Sequence, residues 1–260
     1  MTHSGGVGLG AGLVMVASDE GEVVALAADT GEELWRAKIG SEVLAAPAPG
    51  ANVVAVQTQD SKLYGLAPST GAVLWQHQQD TPVLRLRSIT APVVTDAMVV
   101  AGFANGKVVA LNAVTGDPLW EVRVGVPKGR TELERMVDVN TPLLAGDVVY
   151  ATSYQGRVQA IARGTGRELW VQDGSSHWGA VPGGSQLFVV ESDDTVKALA
   201  IADGRVTWKN AELLNRRLTD LTVVGDYLAV ADLEGWLHVL AQSDGHLLAR
   251  IKVDGEGVSV

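Results

Sequence analysis

The sequence predicts an all-β chain folded as a β-propeller, and three observations lead there. A short motif recurs six times at a spacing of about 43 residues. The runs between its copies are rich in β-formers and alternate with a period of two rather than 3.6. Glycine-containing turns separate those runs at regular intervals. The motif reads Thr30-Gly31-x-x-Leu34-Trp35, Thr70-Gly71-x-x-Leu74-Trp75, Thr115-Gly116-x-x-Leu119-Trp120 and Thr165-Gly166-x-x-Leu169-Trp170. It continues as Asp203-Gly204-x-x-Thr207-Trp208 and ends as Asp244-Gly245-x-x-Leu248-Ala249, without the Trp. Repeats of this length fill all 260 residues, so positions 1–260 are read as one propeller domain.

Each unit divides into four strands. The first is a short inner run, such as Ile89 to Val94 or Thr219 to Val224. The second is a β-rich run: Leu13 to Ala17, Asn52 to Val56, Asp147 to Ala151 or Tyr227 to Val230. A turn follows, at Glu20-Gly21, Asn105-Gly106, Gln155-Gly156 or Glu234-Gly235, suited to two-residue hairpins that need positive φ. The third strand is a run such as Val23 to Ala27 or Lys107 to Leu111. The Thr-Gly or Asp-Gly step then makes a second hairpin into an outer strand that carries the Trp. Four short antiparallel strands per unit is the pattern of a propeller blade. A Trp at one fixed place per blade fits flat between neighbouring sheets, and this docking role is preferred to a cofactor-stacking box.

Composition narrows function. Asp plus Glu outnumber Lys plus Arg by 30 to 20, for a net charge of −10, and such a surface repels phosphate backbones, so no nucleic-acid partner is expected. With no cysteine, disulfides, thiolate metal sites and thiol nucleophiles are all excluded. The apolar stretches fall far short of the roughly 18 residues of a spanning helix, and no apolar signal-peptide core follows Met1. The histidines 3, 77, 177, 238 and 246 lack metal-ligand spacing, so surface or strand-capping roles are expected and no metal. Neither a Gly-x-Ser-x-Gly elbow nor a phosphate-binding Gly-rich loop is present, and no catalytic residue is assigned. Asp193-Asp194 reads as a turn that tolerates left-handed backbone, and Trp178 as packing at an inner strand.

The Ala28-Asp29-Thr30-Gly31-x-x-x-Trp35 pattern and its copies resemble the tryptophan-docking motif of pyrroloquinoline-quinone (PQQ) type eight-bladed propellers, which include both quinoprotein dehydrogenases and non-enzymatic binding proteins. Two loops sharpen the resemblance: Pro82-Val-Leu84-Arg85-Leu86-Arg87-Ser88 and Arg135-Met-Val-Asp138-Val-Asn140. They are similar to the Leu-x-Leu-Arg and Arg-x-x-Asp-Val-Asp loops of the BamB-type outer-membrane assembly lipoproteins. In that family the two loops dock the periplasmic domains of the barrel subunit BamA. The resemblance therefore implies a non-catalytic scaffold at the periplasmic face of the outer membrane, with Leu84, Leu86, Arg87, Arg135, Asp138 and Asn140 as partner-binding residues and no cofactor. Nascent outer-membrane proteins are a further expected partner. Asn140 stands where a second Asp is usual, and Ser88 where Gly is usual. Leu213 to Thr219 and Asp232-x-Glu-Gly-Trp-Leu-His238 resemble later blades of the same family.

Eight blades of this length need about 340 residues, so the sequence is expected to hold about six of eight blades as an incomplete ring, with blade parts and the family's lipid-bearing Cys missing from it. Both loops connect the outer strand of one blade to the inner strand of the next. Such crossovers share one face of the disc, where a single partner reaches both. Two functional alternatives stay open at this point. One is a PQQ- and calcium-dependent quinoprotein dehydrogenase; the other is a generic propeller scaffold in a different assembly.

Overall fold

The computed structural model describes residues 6–86 and 90–253. They form six four-stranded antiparallel sheets and, among the described residues, no helix. The strands of each sheet follow chain order from inner to outer edge, and the blades span 7–38, 48–78, 93–123, 143–173, 181–210 and 222–252. In blade 1 these are Val7–Gly10, Leu13–Ala17, Glu22–Ala27 and Glu33–Lys38. The inner strands are shorter than the sequence suggests: blade 3 starts with Val93–Val94 and blade 6 with Thr222–Val224, and Ile89 lies outside the described residues.

The turn between second and third strands is longer than the two-residue hairpin expected. In blade 1 it covers 18–21, closed by bonds from the Ser18 amide to Glu22 O (2.9 Å) and from the Gly21 amide to Ser18 O (3.1 Å). Gly21 at φ 78° supplies the left-handed step that brings the chain back into register. In blade 4 that step falls on Gln155 (φ 48°).

Each seam between consecutive blades holds its own apolar cluster. Met15 and Val23 of blade 1 meet Val54 and Val56 of blade 2, whereas Val53 and Ala55 of blade 2 meet Val99 and Ala101 of blade 3. A blade between two others therefore buries both faces of its middle strands, and Met98–Gly102 is buried at every position. The period of two survives in the outer strands, four of which share one exposure pattern with only the Trp buried.

That Trp closes the seam. Trp35, Trp75, Trp120 and Trp170 are 7–8% exposed, and Trp208 is half-buried. Each lies on the hairpin glycine of the next blade, and each indole N–H donates to the carbonyl three residues before that glycine. The acceptors are Pro68, Ala113, Arg163, Ile201 and Gln242, at 2.7–3.0 Å. A Cβ added at Gly71 would sit 2.4 Å from the Trp35 ring, and the backbone there is left-handed at φ 71°. Glycine is thus required twice over.

Opposite each Trp, on the third strand, stands Ala25, Gly65, Ala110, Ala160 or Ala198, which leaves room for the indole. The same strand pair always slips register one step later, leaving Leu34, Leu74, Leu119, Leu169, Thr207 and Leu248 as the extra residue of a bulge. Hence the Leu of the motif is 42–50% exposed while its Trp neighbour is buried. Blade 6 departs from the pairing: Ala249 replaces Trp and Val239 replaces the small partner, so this pair is smaller than in the other blades.

Candidate partner-binding site

The crossovers are the segments where the repeat is not kept. Crossover 79–92 joins blades 2 and 3, and crossover 124–142 joins blades 3 and 4. The structure brings them together on one side of the disc. The amide of Leu86 donates to Asp138 Oδ1 at 3.0 Å, and the amide of Ala91 donates to Thr141 Oγ1 at 3.0 Å. The turn between the second and third strands of blade 4 joins the same surface, since the Tyr154 amide donates to Asp138 O at 2.9 Å. Gly102 lets crossover 124–142 lie on blade 3: a Cβ there would be 2.8 Å from Asn140 O.

The residues expected at this site divide into two groups. Leu84 is 45% exposed and Arg135 is exposed, so these two side chains reach solvent, whereas Leu86 is half-buried and lines a small cavity with Gln57 and Phe103. Arg87 lies outside the described residues. Arg85 is half-buried, with Nε 3.4 Å from Gln59 Oε1.

Asp138 and Asn140 require a correction. At 1% and 3% exposure they are not presented at the surface of the free chain; they hold the crossovers in place from beneath. The Asn140 amide nitrogen lies 2.9 Å from Thr152 Oγ1, 3.0 Å from Ser176 O and 2.9 Å from Trp178 O, tying crossover 124–142 to crossover 174–180. This explains the residue type. A carboxylate at 140 would face two carbonyl oxygens with nothing to donate, whereas an amide supplies the N–H.

Asp138 is the junction of the two loops. Burial pushes its carboxyl up to about 6, although bonds from the Leu86 amide and its own amide, and the charge of Arg85, act in the opposite direction. Its second oxygen has no hydrogen-bond partner among the described residues. The chain thus keeps an under-solvated carboxylate to hold one loop against the other.

Two apolar residues of this surface were not singled out by sequence reasoning. Val83 is 86% exposed beside Leu84, and Leu133 is 62% exposed on the same crossover as Arg135. Their signal was an aliphatic side chain on a loop with no strand to pack it. Glu134 shapes the loop beneath Leu133 by accepting from the amides of Arg130 (2.7 Å) and Thr131 (3.1 Å), which hold its carboxyl below the usual range.

Elsewhere, His238 departs from the expected surface role. It is 1% exposed on the third strand of blade 6, with Nε2 2.8 Å from the buried Asp232. Burial raises the Asp232 carboxyl, but His238, the Trp236 amide and Arg216 outweigh it and hold the group below its ordinary value. Trp178 packs as expected, its indole donating to Leu218 O at 3.0 Å.

The fold family also raises the question of a quinone and calcium, which the residues present do not fit. The cavity beside Leu86, lined by Gln57, Thr58, Arg85, Leu86 and Phe103, is about 40 Å³, far too small for PQQ, and the larger one of about 350 Å³, lined by Lys209, Asn210, Glu212, Asp244 and His246, offers no Trp, Tyr or Phe face for a quinone to stack on. No three His, Asp or Glu side chains gather as metal ligands among the described residues.

Comparison with known proteins agrees with this architecture. The family model described as outer membrane protein assembly factor BamB matches residues 1–210. The protein of that name from Xanthomonas campestris pv. campestris is 50% identical over 254 residues, 96% of this chain and 62% of its own length. Its Escherichia coli counterpart is 40% identical over 255 residues, 98% of this chain and 65% of its own length. The chain thus spans less than two thirds of these two relatives. The crystal structure of BamB from Moraxella catarrhalis superposes with a TM-score of 0.92 at 30% identity, covering 98% of this chain and 78% of that one. The repeats, the docked tryptophans and these matches together place the chain in the BamB family of outer membrane protein assembly factors.

Proposed function

We propose that this chain acts as a non-catalytic scaffold in the assembly of outer-membrane β-barrel proteins at the periplasmic face of the outer membrane, gripping a BamA-type subunit with crossovers 79–92 and 124–142. The observation that carries this reading is the bond from the Leu86 amide to buried Asp138, which makes two segments 52 residues apart into one surface. Val83, Leu84 and Leu133 supply exposed apolar anchors on that surface, and Arg135 the flanking charge. Arg87 completes the charge by family resemblance.

No bond changes in such a role. The binding energy orients the partner, and the buried clasp limits the ordering entropy lost on docking. Nascent outer-membrane proteins are a second class of client that this scaffold would bring near the barrel subunit.

The test is capture of purified BamA periplasmic domains by the wild-type chain and by Leu84→Ala combined with Arg87→Ala. Capture is expected to be lost with unchanged far-UV circular dichroism. Undiminished capture overturns the reading. Dye reduction on adding PQQ and calcium would favour the quinoprotein alternative instead.

A further inference from the structure

Two crossovers of the same face are built on one plan, and only one belongs to the grip proposed above. In 79–92 an exposed leucine sits beside an arginine, above a backbone amide held by a buried aspartate. Crossover 211–221, between blades 5 and 6, repeats this with different residues. Leu214 is 43% exposed, and Asn215 and Arg217 are exposed. The amides of Arg217 and Leu218 donate to the two carboxylate oxygens of Asp194, at 2.8 and 2.9 Å, and Asp194 is 9% exposed.

The loop is held in a conformation it would not adopt unaided. Asn215 and Arg217 lie at φ 59° and 56°, and Asp194 itself at 71°. Buried Leu213 and Leu218 anchor its ends in the core. The two arginines are treated differently. Arg216 binds Asp232 at 2.5 Å and Glu234 at 2.8 Å, so its charge is matched within the fold. Arg217 makes no ion pair among the described residues. Leu233, 41% exposed, stands alongside, its amide donating to Arg216 O at 3.3 Å. Crossovers 39–47 and 174–180 contain no arginine and expose no large aliphatic side chain, so the plan is not a by-product of the repeat.

We propose that Leu214, Arg217 and Leu233 form a second docking station on the crossover face, for a segment of a partner protein that carries a carboxylate next to an apolar side chain. A guanidinium without an ion pair among the described residues, on a loop that exposes Leu214 and is bonded to Leu233, sets that chemistry. A basic segment is repelled by Arg217, and a purely apolar one leaves the charge without a counterpart as water is excluded. The station is continuous with the first grip along one rim. Gln155 Nε2 donates to Leu133 O at 3.3 Å, Tyr154 stacks on His177 at 4.6 Å between ring centres, and the Asn215 amide donates to Asp193 O at 3.3 Å. It does not depend on which protein fills the first grip.

The probe is the peptide acetyl-Glu-Leu-Asp-Phe-Glu-Leu-amide, titrated into the isotope-labelled full chain and followed by amide chemical shifts. Its counterpart with Lys at each acidic position is the control. Expected are saturable shifts at residues 213–218 and 233 with the acidic peptide, weakened by added salt and absent with the control. Arg217→Glu should reduce affinity about tenfold or more, Arg217→Gln by less, and Leu84→Asp not at all, each with the other amide signals in place. The proposal is overturned if neither peptide binds, if both bind equally, if the shifts centre on 84–86 and 133–138, or if Arg217→Glu binds as the wild type.

Discussion

The seams between blades and the face formed by the crossovers are two regions of one molecule governed by opposite rules. All five seams use the same parts: an indole laid on the hairpin glycine of the next blade, a small residue opposite it and a bulge one step later. The crossovers differ in length and in the residues that hold them, even where two follow a similar plan. The shortest is 174–180 and the longest 124–142, and each is held by different side chains: Asp138 under one, Asn140 under a second, Asp194 under a third. Stability in this protein is repetitive and recognition is local. The seams bury their apolar surface in a fixed geometry, which leaves each crossover free to vary without unfolding the blades it connects.

Substitutions that break one region and spare the other test this contrast. The largest effect is expected at a seam. Trp120→Ala removes an indole 8% exposed together with its bond to Arg163 O, and should lower stability by about 3–5 kcal/mol in denaturant titration. Below the new transition, BamA-domain capture should persist. Loss of capture in the folded variant would show that the two regions are not separable.

Asn140→Asp comes next, at about 1–3 kcal/mol, because the new carboxylate faces Ser176 O and Trp178 O with no proton to donate. Acid should relieve part of the loss by protonating it, so the deficit against wild type measured by thermal melting should shrink at low pH. A pH-independent deficit would place the cause elsewhere.

Leu133→Asp should leave stability within about 0.5 kcal/mol, since the side chain is 62% exposed, while weakening capture of the BamA domains about tenfold. Unchanged capture would take Leu133 out of the grip.

The smallest effect is a pH dependence. The folded carboxyl of Asp138, at about 6, lies above its unfolded value, so the folded state binds the extra proton between those two values. Its contribution to stability is therefore favourable in acid and is lost as pH rises through 6. Asp138→Asn, neutral throughout and still able to accept from the Leu86 amide, should remove that slope. The melting-temperature difference between variant and wild type should grow in the variant's favour from pH 5 to pH 7. A difference that stays flat would mean Asp138 is not under-solvated.

The seams were largely legible in the sequence because each is encoded locally. Thr70-Gly71 with Trp35, and Asp244-Gly245 with Trp208, sit at a fixed spacing that survives translation from blade to blade. Inner strands were less so: Val93–Val94 is a mere bridge of two residues, too short for any pattern to mark its ends. At the crossovers, Leu84 was readable as an aliphatic residue without a strand, and it is exposed. The resemblance marked Asp138 and Asn140 but carried no sign that they lie buried. Their burial comes from blade 4 and crossover 174–180 closing over them, contacts that no local spacing announces. His238 is buried although its partner Asp232 is only six residues away, because that carboxylate is itself buried and bound by Arg216 from crossover 211–221.

The sequence alone determined the blade, its four strands, the order of the blades and the chemistry of each seam, because all of these rest on side chains within one repeat length of each other. Only the tertiary structure decided which loop side chains face water, which aspartates lie beneath them, and which arginine is left unmatched. Those properties depend on the distance between groups brought together from different blades, and burial, which sets the strength of a charge or a hydrogen bond, exists only once the blades have packed.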